Sequence, residues 1–419
     1  MNMKTLRKTL MTLLALSCLH ANAQVSLDEC IKSAFDNYPQ IEEMDLIKAS
    51  EGYDLKNAAM AWLPQLSISA KASWQSDVVE MPFSIPGMEI KIPHDQYGVT
   101  ADLTQQIWDG GAAASKSKQI KAGAEVKRKQ LEVNLYSIKS KVQSIYLSII
   151  LLDKQIELND VLETNLRRNL EEVKASAEGG VAGKSDIDQI RVNLLSCEQQ
   201  KAGLMEDRKA YVRMLGLLTG KDLTGQTLAE PQLKADSSMD IKRPELALYD
   251  AQAFQTQVQE EQLNTSLWPR LNLNLQAGYG RPGLNMLSGE FDPYFIAGLK
   301  MQWNIGSFYT LKNDRRKSEA EKQRIDATRR SFLLNTSVEA AQKQSQVTKD
   351  MDVIARDEEI IELRKSIRET AEQQYKEGVI KMNDYLSLLD EEFKARLNQN
   401  VHEVQYMMDL LDLNNTLGI

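Results

Sequence analysis

Histidine and cysteine are nearly missing from this chain. Of 419 residues, three are His and three are Cys. Cys18 and His20 fall in a leader-like amino terminus, which leaves Cys30, Cys197, His94 and His402, far apart in sequence. No grouping among them has the spacing of a zinc site, so neither metal nor cofactor is expected. Cys30 and Cys197 could pair in an oxidising compartment, but two cysteines in so long a chain are no disulfide framework and read as packed thiols. A glycine-rich G-x-G-x-x-G turn, a P-loop and a G-x-S-x-G elbow are also absent. The sequence gives no reason to expect an enzyme, although a carboxylate pair leaves no signature of its own. Beyond the amino terminus, nothing approaches the roughly 20 consecutive apolar residues of a membrane helix. Such a chain either stays out of the bilayer or crosses it as a β-barrel, the other structure that satisfies its own backbone.

Positive charge is scarce too. The first residues hold Lys4, Arg7 and Lys8, then an apolar run from Leu10 to Leu19, then the small-x-small site Ala21-Asn22-Ala23. That is the plan of a secretory signal peptide over 1–23, with Gln24 first in the mature chain. The rival reading, lipidation at Cys18, fits poorly because Leu16 is bulky for a lipobox. Removing the leader leaves 48 basic residues, 51 less 3, against 59 acidic ones, a net charge of −11. That balance disfavours nucleic acid as a partner.

What the chain does have is alternation. After Pro64, Leu66, Ile68, Ala70, Ala72 and Trp74 alternate with Gln65, Ser67, Ser69, Lys71 and Ser73. Strand side chains point to opposite faces in turn, so one face is apolar and the other wet. Three more stretches do the same. Val99, Ala101, Leu103 and Ile107 oppose Thr100, Asp102, Thr104 and Gln106. Leu271, Leu273, Leu275, Ala277 and Tyr279 oppose Asn272, Asn274 and Gln276. Phe295, Ala297, Leu299, Met301, Trp303 and Ile305 oppose Lys300, Gln302 and Asn304. Each has the length of a tilted barrel strand, roughly 10 to 12 residues. Trp74, Tyr97, Tyr279, Tyr294 and Trp303 lie near strand ends, where membrane-interface aromatics sit. One such strand would suit a half-buried sheet in a soluble domain. Four, in paired hairpins behind a signal peptide, favour a barrel with lipid outside and water inside.

The chain is also written twice. Pro39 and Pro64 are 25 residues apart, as are Pro244 and Pro269. "AWLPQLSISAKASW" parallels "LWPRLNLNLQAGYG", and "EGGVAGKSDIDQI" near Gly180 parallels "KEGVIKMNDYLSL" near Gly378. An offset of 198 carries Gly180 onto Gly378, Asp186 onto Asp384 and Gly220 onto Gly418. The expected organisation is a first repeat at 24–219 with a β-hairpin at 65–108, a linker at 220–240 rich in turn residues, and a second repeat at 241–419 with a hairpin at 270–305. Each repeat should hold a helix, its hairpin, a long helix and a return helix. Asp77 to Gln96 and Arg281 to Asp292 are the expected outer loops.

The long helices should run from Gly111 to about Ala177 and from about Ser307 to Glu377, both proline-free. Leu135, Ile138, Val142, Ile145, Ile149, Leu152 and Ile156 recur at alternating spacings of 3 and 4, a coiled-coil seam. Return helices should cover about 185–216 and 384–416. Helices roughly 100 Å long need partners along their length. Alone they would equally suit a soluble periplasmic coiled-coil scaffold or adaptor without a barrel, which is the alternative reading. A four-stranded sheet in lipid cannot keep its edges open. Two copies give eight strands and a filled interior, whereas three give twelve and leave room for water.

These features together resemble the TolC family of outer-membrane efflux proteins over essentially the whole mature chain. The matching motifs are the duplicated N-x-P or R-P-E-L start, L-P-x-L or W-P-x-L at the strand entry, D-G-G or I-G-S after the hairpin, and G-V-x-x-x-x-D at the tip. The resemblance implies a mainly α fold with a membrane β-barrel, built as a homotrimer with twelve strands and a periplasmic α-helical tunnel. It implies a passive exit duct in contact with outer-membrane lipid, which docks with a periplasmic adaptor protein and an inner-membrane pump to export small molecules, metal ions or polypeptides. Gly180, Val181, Asp186, Gly378 and Val379 would form the adaptor-docking tips, with Ser185-Asp186 and Asn383-Asp384 capping the returning helices. Glycine ends helices readily and Asp caps them, so capping alone also explains those residues. The family's periplasmic aperture maps onto Tyr375 and Asp384. Its second aspartate falls on Ser387, with Asp390 one turn further on as a substitute, and its linking arginine falls on Ile380 beside Lys381.

Overall fold

The structure is a computed structural model that describes residues 24–78, 93–180, 183–233, 238–286 and 289–419. The expected signal peptide, most of the first outer loop, Val181 and part of the linker lie outside the described residues. In chain order the elements are α1 (Leu27–Asn37), α2 (Ile41–Met60), β1 (Gln65–Trp74), β2 (Asp95–Trp108), α3 (Ala112–Glu178), α4 (Lys184–Thr219), α5 (Pro244–Leu263), β3 (Arg270–Arg281), β4 (Asp292–Gln302), α6 (Ser307–Lys376) and α7 (Met382–Leu417). The fold is mainly α with one small sheet. Helix α1 is an addition to the repeat read from sequence: α2 and α5 follow the matching prolines, and α1 precedes both. It is short and amphipathic, is capped by Ser26, and buries Leu27, Cys30 and Ala34.

Two compact units divide the chain. One comprises Met44–Gln130 and Ala247–Arg329 and contains the sheet. Its strands run antiparallel in the order β1-β2-β3-β4. The pairing puts Leu66 opposite Leu103, Leu103 opposite Leu275 and Leu275 opposite Ala297, so an apolar row crosses all four strands on one face. That face is bare: Ile68, Phe295, Leu299 and Met301 are 65–72% exposed. The other face is a polar lattice. Thr100 and Ser69 share a hydrogen bond of 2.7 Å, Gln276 donates to Asp102 at 2.6 Å, and Thr104 donates to Asn274 at 3.1 Å. A sheet core buries one face and wets the other, but here the apolar face covers nothing among the described residues.

Three details correct the sequence reading. The register of β2 on β3 shifts between Gln106 and Trp108. A bulge therefore takes up Ile107, and Trp108 instead of Ile107 stands opposite Leu271 on the apolar face. Tyr294 pairs with Gly278 on the polar face, opposite in side to Trp74, Tyr97 and Tyr279. Its ring fills the space a Cβ on Gly278 would need. Asp95 and Gln96 belong to β2, and Arg281 and Asp292 close the ends of β3 and β4, so the outer loops are shorter than expected.

After β2, Asp109 starts α3. The N–H groups of Gly111 and Ala113 donate to its carboxylate at 2.8 and 2.6 Å, and the side chain is 3% exposed. With no proline to stop it, α3 continues for 67 residues.

The other unit comprises the residues through Glu43, Leu131–Leu246 and Arg330–Ile419. The seam read from sequence is its core: Leu135, Ile138, Val142, Ile145, Ile149 and Leu152 are all buried, each worth about 2 kcal/mol. Tyr146 is fully buried, and its hydroxyl lies 2.7 Å from Val25 O and 2.6 Å from Ala229 O. Those two carbonyls flank a parallel bridge between Val25 and Leu228, so the 220–240 segment is stitched to the start of the described chain. Both return helices end on a left-handed glycine, Gly220 at φ 68° and Gly418 at φ 84°. Asn37 donates to Leu217 O and Leu218 O behind the first, and Arg243 to Asn415 O behind the second.

Candidate functional site

The two helix turns that the sequence marks as tips are closed by the same local chemistry. Gly180 and Gly378 adopt φ 77° and 76°, a conformation that costs an L side chain and that reverses a helix end. At the second turn the N–H of Gly378 donates to Tyr375 O at 2.9 Å and that of Val379 to Gln374 O at 2.8 Å. Val379 itself is 67% exposed. The N-cap positions of the returning helices α4 and α7 are Gly183 and Lys381, not Ser185 and Asn383 as expected. Asp186 and Asp384 stand third in their helices and turn back: the N–H of Gly183 donates to Asp186 at 2.9 Å, and that of Lys381 to Asp384 at 3.3 Å. Spacing hides this because Ser and Asn are also good caps. The carboxylate three residues inside does the capping here.

Asn383 is thereby freed for a different contact. It accepts from the Gln189 amide at 2.9 Å and so ties α7 to α4. That bond closes one end of a groove of about 380 Å³, lined by Gln189, Asn193, Ser196 and Gln200 from α4 and by Asn383, Ser387 and Asp390 from α7. Ser387 and Asp390, both singled out from sequence, thus meet in one polar groove. Asp390 carries an ion pair with Lys394 at 2.6 Å. Asp384 is exposed beside the turn. Tyr375 is drawn into the packing instead. It stacks on Tyr385 with ring centres 6.0 Å apart and planes 15° from parallel, within a core that includes Leu166, Leu170, Val173, Ile190 and Met382. Burial pushes the pKa of both phenols up, so they stay neutral. The α4 side of the groove went unread in the sequence. Its amides and serine recur at spacings of 4, 3 and 4, the same interval that marks an apolar seam, but written in polar residues.

The sheet and the tips can be compared with solved structures. The chain superposes on the CmeC outer membrane channel of Campylobacter jejuni with a TM-score of 0.65 at 17% identity, covering 94% of this chain and 85% of that one. The outer membrane protein VceC of Vibrio cholerae gives 0.66 at 15% identity over 93% and 94% of the two chains. The open-state outer membrane channel MtrE of Neisseria gonorrhoeae gives 0.66 at 15% identity over 94% and 88%. In sequence, residues 30–221 match the family model described as outer membrane efflux protein. The match lies on the first of the two repeats, and the chain as a whole shares the fold of these channels. No curated protein matches it in sequence. No helix among the described residues is long and apolar enough to cross a membrane.

Proposed function

We propose that three copies of this chain close their four-stranded sheets into one twelve-stranded barrel and act as a passive exit duct without a catalytic step. The observation that carries this is the sheet itself, with apolar residues on one face, amides and hydroxyls on the other, and β1 and β4 as its two end strands. Lipid leaves no unpaired strand edge, so β4 of each copy must meet β1 of the next. The helices support the same count. On α6 a second row, Leu334, Val338, Leu363 and Ile367, is 44–66% exposed. On α4, Val192, Leu195 and Leu217 are 60–74% exposed. Bare apolar rows on long helices are what neighbouring copies would cover.

In this reading Gly180, Val181, Asp186, Gly378 and Val379 meet a periplasmic adaptor protein, which links the duct to an inner-membrane pump that supplies the energy. Asp384, Ser387 and Asp390 line the aperture, Tyr375 braces it from behind, and the cargo is a small molecule, a metal ion or a polypeptide. The test is the native mass of the mature protein, corrected for bound detergent. A trimer released only by detergent is expected. A monomer or dimer released by salt or carbonate would overturn the reading in favour of a soluble scaffold.

A further inference from the structure

Helices α6 and α7 pair antiparallel, and charged residues recur along α6 every seven positions at Lys343, Asp350, Asp357 and Arg364. Most of these layers are complementary. Lys343 lies 3.8 Å from Asp412, Asp357 accepts from His402 Nδ1 at 2.7 Å, and Arg364 pairs with Glu391. Nearer the tip, Glu392 accepts from Arg368 at 2.9 Å and from Arg396 at 2.8 Å. The Asp350 layer departs from this pattern, because the α7 residue that faces it is another acid, Asp409. Asp350 is 6% exposed. Its Oδ1 accepts from Gln346 at 3.1 Å, while Oδ2 is buried without a donor. Asp409 accepts from Gln405 at 3.1 Å.

The surrounding cations do not neutralise the pair. Lys349 on α6 acts on Asp350 from a distance. On α3, Lys154 is already held by Glu403 at 2.7 Å and Glu230 at 3.2 Å. His402 is committed to Asp357. A buried carboxylate and a half-buried one facing it repel, whereas one proton between them removes a charge and makes a hydrogen bond. Burial, reinforced by the Asp409 carboxyl, pushes the Asp350 acid up to about 6.

We propose that Asp350 and Asp409 form a proton-operated latch between α6 and α7, fastened when they share a proton and slack when both are ionised. The inference rests on the duct reading, because α7 carries Asp384, Ser387 and Asp390 and a slack hairpin would let those residues move. The direction follows from linkage. The folded state holds a proton that the unfolded chain releases at ordinary carboxylate acidity. The added stability is therefore full below about pH 4 and is lost as pH rises through about 6. Acid fastens the latch and neutral pH loosens it.

Two measurements on the detergent-extracted mature protein test this. Hydrogen exchange, corrected for its intrinsic pH dependence, reads the α6 and α7 amides between about pH 5 and about pH 8, and planar-bilayer conductance reads the duct over the same range. Protection around Asp350 and Asp409 is expected to fall at least about tenfold on raising the pH, with α3 and α4 unchanged and conductance rising. In D350N the amide donates permanently to Asp409, so protection stays at its acid level throughout. D409N gives the same result from the other helix, should the first variant misfold. In H402Q the step remains. A step that persists in both Asn variants, or that vanishes in H402Q, overturns the latch. An exchange step without conductance at any pH would uphold the latch and sink the duct. Conductance without an exchange step would do the reverse.

Discussion

Asp186 and Asp384 occupy equivalent places in the two repeats, and each spends its carboxylate on the backbone N–H three residues before it. Removing that acceptor leaves an orphan donor at the start of a 36-residue helix. D186A is expected to cost about 1 kcal/mol of local helix stability, visible as faster proteolysis at the Gly180 turn while the strands remain protected. Its counterpart D384A, whose bond is longer at 3.3 Å, should cost less by the same measurement. Tyr294 illustrates the opposite kind of residue, one whose role depends on its neighbour. Its ring lies over Gly278, so G278V should displace it and prevent the β3–β4 pairing, read as loss of heat-resistant migration on a gel.

At the scale of the element, the two faces of the sheet should answer differently to the same change. I68R puts a charge on the lipid face and should destabilise the folded state by about 2–4 kcal/mol. S67R, one residue away on the water face, should cost little. Urea unfolding in lipid vesicles compares the two. This contrast was legible in the sequence, because a period of two fixes the face of every strand residue. The long helices were equally legible: their proline-free runs and 3-4 spacing place α3 and α6 within a residue or two. What escaped depends on partners far away in the chain. The bulge at Ile107 exists only against β3, and the side taken by Tyr294 only against Gly278. Ser185 and Asn383 made good caps by residue type, yet Gly183 and Lys381 hold the cap positions because the aspartates reach back to them. The groove between α4 and α7 escaped for a related reason: polar residues at seam spacing look like surface until another helix lies beside them.

At the scale of the molecule, the exposed row on α6 should hold copies together without holding the hairpin together. L363D is therefore expected to lower the native mass to that of a monomer while the helical circular dichroism is kept. Unfolding of the hairpin itself would show that Leu363 serves the chain's own core. The bridge between Val25 and Leu228 has a consequence in time. A chain is synthesised amino end first. Val25 is thus made early, yet its pairing partner lies 203 positions behind it. Until Leu228 and Ala229 arrive, the Tyr146 hydroxyl has half its reception missing, and the first half of the chain cannot lock. The two halves, though copies in pattern, are not independent in biogenesis. The earlier one must wait, unfinished and open to chaperones, for the segment that introduces the later one.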